Sequence, residues 1–163
     1  MVNPSELINQ KRHEGKTVGI IGSAFTFLAT GEQTGGKYAL IEAFIPAGVG
    51  PPLHHHDNED ETFYILDGAI TVTVDDQEIH AQRGDFVQLP KGSVHTFRNV
   101  RQQPVRMLIL LTPAGLDKFF DKYGLPMEHK SDPPPLATKE HINDILTNAP
   151  TYGVHFHLPE NSD

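Results

Sequence analysis

Residues 48–68 read GVGPPLHHHDNEDETFYILDG, and residues 84–99 read GDFVQLPKGSVHTFRN. The first stretch holds three consecutive histidines, His54, His55 and His56, with Glu61 shortly after them. In a strand alternate side chains share a face, so His54 and His56 point one way and His55 the other. That is metal-ligand spacing for two imidazoles. Glu61 rejoins them if the acidic turn Asp57–Asp60 folds back. The second stretch adds His95, just beyond the tight turn Pro90-Lys91-Gly92. Three neutral imidazoles and one carboxylate form a borderline donor set suited to one divalent first-row ion, Fe, Mn, Co, Ni, Cu or Zn. In six-coordinate geometry such a set leaves positions open for substrate or dioxygen.

Around these stretches the chain reads as short strands broken by turn residues. Ala24–Thr30 and Lys37–Pro46 flank the glycine-bounded turn 31–36. Glu61–Leu66 and Ile70–Val74 flank Asp67-Gly68, a turn dipeptide that predicts a hairpin between them. Glu78–Gln82, Asp85–Pro90, Val94–Asn99 and Val105–Thr112 follow at intervals too short for crossover helices, which means an antiparallel barrel or sandwich. The texture changes after Thr112. Leu116, Phe119, Phe120 and Tyr123 recur at helical spacing between Pro113 and Gly124. A second helix is predicted from Thr138 as N-cap, with Ile142, Ile145 and Leu146 on one face, ending before Pro150. Val154–Leu158 reads as a terminal strand. The expectation is one domain over residues 1–163: an all-β unit with a motif core at 48–99 and a helical tail at about 113–150.

Composition narrows the function classes. The 163 residues include 14 glycines and 13 prolines, an excess that favours turns and short strands. The net charge of −8 repels phosphate backbones and anionic lipid, so neither nucleic acid nor a membrane is an expected partner. Cysteine is absent, which excludes thiolate sites. Residues 1–15 are polar and lack the apolar core of a secretory signal, and a cytoplasmic location is the default expectation.

The two stretches together resemble the paired motifs of the cupin superfamily. Gly48, His54, His56, Glu61 and Gly68 match the first motif; Gly84, Pro90, Gly92, His95 and Asn99 match the second. The interval 69–83 suits the short hairpin that separates them in small cupins. The resemblance implies a double-stranded β-helix of the jelly-roll type, usually dimeric, with a divalent metal held by His54, His56, Glu61 and His95. The tail, with Thr112-Pro113-Ala114-Gly115-Leu116 and the triple proline 133–135, is similar to that of small quercetinase-like monocupins. That likeness implies dioxygen-dependent opening of a phenolic or enolic ring, with Glu61 as ligand and proton acceptor. An acireductone dioxygenase-like or isomerase-type cupin, and a non-catalytic cupin binding a small molecule or metal, are the alternatives. The strands of Thr17–Thr30 are candidates to pair across a homodimer.

Strand parity also addresses the substrate. If Glu61 and His95 face inward, so do Phe63, Ile65, Phe97 and Asn99, while Arg98 faces out. With Phe44, and also Phe25, Phe27 and Leu53, these residues predict an apolar, aromatic-lined pocket without an anion clamp. His155 and His157 repeat the ligand spacing with no carboxylate nearby in sequence and read as part of the last strand. Phe119 and Phe120 read as core packing, the acidic residues of 57–60 as a charged face, and His13, His80, His129 and His141 as solvated.

Overall fold

Val105–Thr112 alternates between buried and half-buried positions along its whole length, with Val105, Met107, Ile109 and Leu111 at the buried ones. A strand that alternates in this way has one face in a core. In the computed structural model, which describes residues 7–11 and 14–159, the first strands are β1 (Thr17–Ile20), β2 (Ser23–Ala29), β3 (Ala39–Ile45) and β4 (His54–His56). Next come β5 (Asp60–Asp67), β6 (Ala69–Val74), β7 (Gln77–Gln82), β8 (Phe86–Leu89), β9 (His95–Arg98) and β10 (Val105–Thr112). The tail holds α1 (Asp117–Tyr123), β11 (Leu125–Met127), α2 (Lys139–Asn148), a 3-10 turn (Ala149–Tyr152) and β12 (Val154–Phe156). Residues 1–6 of the polar lead-in, and His13, lie outside the described residues.

The strands form two antiparallel sheets, β11-β1-β2-β3-β10-β5-β8 and β12-β4-β9-β6-β7, the jelly-roll arrangement. Inward residues of both merge into one hydrophobic core. Phe63 of the larger sheet meets Phe97 of the smaller edge to face at 5.5 Å, worth about 0.5–1.5 kcal/mol beyond the area the rings bury.

The structure corrects the expected hairpin at Asp67-Gly68. β5 pairs with β10 and β8, and β6 with β7 and β9, so the turn carries the chain from one sheet to the other. Gly68 makes the crossing at φ 83°, in the left-handed region. The true hairpin is β6–β7, within the interval between the two motifs.

The tail folds as its spacing predicts and adds what spacing cannot show. The Thr138 side chain accepts from the His141 backbone N–H at the start of α2. Asp117 is buried and ties α1 to the body, its carboxylate accepting from the backbone N–H of Gly31 (2.8 Å) and Gly115 (3.0 Å). His141 is half-buried rather than solvated, and its Nε2–H donates to the Tyr123 carbonyl. β11 was not foreseen; it covers the edge of β1, so β1 and β2 each have two neighbours within the chain. Strands Thr17–Thr30 therefore offer no open edge for pairing across a dimer. Among the described residues no helix is long and apolar enough to cross a membrane.

Candidate metal centre

Strand parity places His54 and His56 on the inner face of β4, and His54 lies directly opposite His95 of β9. Glu61 enters from β5, on the other sheet. All four side chains are buried, and their ligand atoms converge within 4.8 Å of one another, an arrangement that can hold a metal ion. Hydrogen bonds between the two motifs fix it: Gly92 N–H donates to the His56 carbonyl at 2.8 Å, and Lys91 N–H donates to the Asp60 side-chain Oδ1 at 2.9 Å. Gly50, which the sequence reading passed over, lets the loop before β4 lie on β9. A Cβ there would collide with the Phe97 carbonyl oxygen.

The imidazole orientations are set from behind. His54 Nδ1–H donates to the Pro52 carbonyl (2.8 Å), and His95 Nδ1–H to the Ser93 carbonyl (2.9 Å), which turns both Nε2 atoms inward. Outer hydrogen bonds of this kind fix tautomer and ring angle in metal-binding histidines. His95 Nε2 meets Glu61 Oε2 at 3.0 Å. His56 Nδ1 is buried without a hydrogen-bond partner among the described residues, 4.0 Å from the same oxygen. Leaving such a group unmatched costs about 1–3 kcal/mol, so this nitrogen fits an inward-facing donor for a cation.

The electrostatics agree with that fit. Burial, reinforced by the charge of His95, lowers His54 to about 3, and burial also holds His56 below its ordinary value, so both rings are neutral donors. Burial opposes the charge on Glu61, but the His95 hydrogen bond and the surrounding imidazoles outweigh it and lower the carboxyl to about 2. Burial likewise opposes the charge on His95, and Glu61 reverses that effect and raises it.

A cavity of about 40 Å³ adjoins these groups, walled by Ile21, Phe25, Phe97, Phe119, Phe120 and Phe156 among others. Among the described residues no Arg or Lys lines it. Of the aromatic and aliphatic pocket residues read from sequence, Phe97 and Phe25 reach the wall, and Phe27 packs in the core. Phe63 and Ile65 are fully buried in the core behind it. Phe44 stands at an even position of β3, where side chains face outward, and lines a separate groove of about 770 Å³ beneath the tail. Leu53 is exposed. Phe119 and Phe120 pack in the core and also wall the cavity, a contribution from the tail that helical spacing alone does not reveal. Glu59, read as part of a charged face, is instead buried at 2% exposure beside the start of α1. Asn99 is structural: its side-chain amide donates to the Ile45 and Gln103 carbonyls.

Residues 40–111 match the family model of the cupin domain. That segment carries the sequence pattern of a cupin domain. Over 101 residues, 62% of its length, the chain is 33% identical to the quercetin 2,3-dioxygenase of Bacillus subtilis, of which it spans 30%. It is 32% identical over 79 residues to an uncharacterised protein of Methanocaldococcus jannaschii, spanning 48% of this chain and 63% of that one. The cupin fold is shared with KdgF from Halomonas sp., with a TM-score of 0.60 at 15% identity over 69% of this chain and 98% of that one.

Proposed function

We propose that this chain binds one divalent first-row ion through His54, His56, Glu61 and His95 and oxidises a phenolic or enolic small molecule with dioxygen. The observation that carries the reading is the pairing of a buried three-imidazole, one-carboxylate cluster with an apolar cavity that no Arg or Lys of the described residues lines. The partial likeness to quercetin 2,3-dioxygenase supports the same chemistry. A bound ion supplies Lewis acidity toward a hydroxyl oxygen of the substrate.

The chain's own residues supply the rest. Glu61 is ionised throughout the neutral range and is the proton acceptor nearest the cluster. A carboxylate this weakly basic suits an acidic hydroxyl, a phenol or enol rather than an aliphatic alcohol. Phe97, Phe119 and Phe120 exclude water and favour a flat, apolar substrate. Ile20, Ile21 and Phe156 wall both the cavity and the outer groove, so the reacting hydroxyl enters the cavity while the larger part of the substrate lies in the groove. A homodimer, if the chain forms one, uses an open edge such as β8 or β7 rather than β1.

An oxygen electrode tests the reading: metal-reconstituted protein is screened against flavonols, simple phenols and enediols. Uptake with a flavonol supports it, and uptake with enediols alone assigns acireductone-type chemistry. No uptake with any of them, alongside retained ligand, assigns a binding protein and overturns it.

A further inference from the structure

The outward face of the ligand strand carries a second cluster. His55, between His54 and His56, points away from the cavity, and β12 lies beside it in register, with His155 opposite His55. The two imidazoles stack at 4.8 Å with their planes 10° apart. Both present Nε2 to one carboxylate: His155 Nε2–H donates to Asp57 Oδ2 at 2.7 Å, and His55 Nε2 lies 3.4 Å from Asp57 Oδ1. On its far side His55 Nδ1 is hydrogen-bonded to His157 Nε2 at 2.8 Å.

The geometry points to a second, solvent-facing metal site formed by His55, Asp57 and His155. Their ligand atoms lie within 4.8 Å of one another, and the side chains are exposed enough for an ion to enter from water. Two imidazole nitrogens and a carboxylate oxygen suit zinc or a neighbouring first-row ion, with water filling the remaining positions. On binding, the ion takes the place of the Nε2 proton of His155: a neutral ring moves that proton to Nδ1, and a protonated ring releases it to solvent. His157 is a positioning residue: by accepting from His55 Nδ1–H it directs the Nε2 lone pair of His55 toward the ion. In sequence His155 and His157 lack a carboxylate, and the sheet supplies one from Asp57. The site also joins β12 to β4 and so holds Phe156, whose ring lies 5.8 Å from that of His54, against the cavity.

Zinc titration of the full chain tests the site, with zinc chloride as probe. The expected result is one more equivalent bound by the wild type than by His155→Ala, with circular dichroism confirming that the variant is folded. His157→Ala should keep the extra equivalent but weaken it about 10- to 100-fold, the usual effect of removing an outer hydrogen-bond partner. Amide exchange in β12 should slow with zinc in the wild type and not in His155→Ala. If His155→Ala perturbs folding, His155→Gln takes its place in the same comparison. Equal stoichiometry in wild type and variant, or β12 exchange indifferent to zinc, reduces the four groups to a hydrogen-bonded surface network and overturns the assignment.

Discussion

Glu61 and His95 reach each other from opposite sheets, Oε2 to Nε2 at 3.0 Å, although β5 and β9 share no backbone pairing. Their contact joins the two motifs at the point where the proposed chemistry takes place. Substitutions there separate holding an ion from accepting a proton.

Glu61→Gln keeps the shape and one oxygen but removes the charge. If Glu61 accepts the substrate's proton, turnover at full metal loading falls by about 10² to 10⁴, the span of general-base catalysis. His95→Ala is the control, and its loss of activity should follow its loss of metal. Turnover near wild type in metal-replete Glu61→Gln, measured beside elemental analysis, would leave Glu61 a ligand only.

Glu59 is buried with Oε2 unpartnered among the described residues, and burial pushes its carboxyl up to about 7 even though the Leu116 backbone N–H opposes the shift. The folded value lies above the ordinary 4.5, so the folded chain holds the proton more tightly and loses stability as pH rises from about 4.5 through 7. Glu59→Gln removes this dependence. It should raise stability at pH 8 by about 1–3 kcal/mol, the cost of a buried unmatched polar group, and change little at pH 5. Thermal melts at the two pH values check it; an equal difference at both would count against it.

Glu42 Oε1 accepts from Arg106 Nε and Nη2 and from Lys130 Nζ, at 2.9 to 3.0 Å. Burial opposes its charge, but these cations prevail and lower its pKa. The stabilisation is present above the ordinary carboxylate pKa and lost as pH falls through the lowered one. Glu42→Gln should therefore cost about 1 kcal/mol at pH 7, at the upper end for a partly exposed ion pair, and much less at pH 3. Urea titrations at both pH values measure it.

Ile21 takes φ 50°, a left-handed conformation that a β-branched residue rarely adopts, in the wall shared by cavity and groove. Ile21→Gly relieves the strain and opens that wall. Bulky substrates should gain in kcat/KM relative to small ones by about 10-fold, the scale on which apolar pockets discriminate. An unchanged ratio would place substrate entry elsewhere.

The inner cluster was legible because period-two alternation and turn residues are local properties. His54 and His56 share a face by parity, and Pro90-Lys91-Gly92 aims His95 from a few residues away. The misread positions depend on which strands become neighbours. Asp67-Gly68 looks the same whether it closes a hairpin or crosses between sheets. Phe44 is as aromatic as Phe97, and only the pairing of β3 shows which face it occupies. Glu59 sits among charged residues in the chain and beside α1 in space. The partnership of Asp57 with His155 spans 98 positions and exists only through β4–β12 pairing.

Three of the four inward donors ride on the smaller sheet and one on the larger. An ion gripped in this way would rivet the layers together, and any parting of the layers would hasten its loss to a chelator. Its dwell time would then serve as a clock for breathing of the sandwich, readable without any substrate.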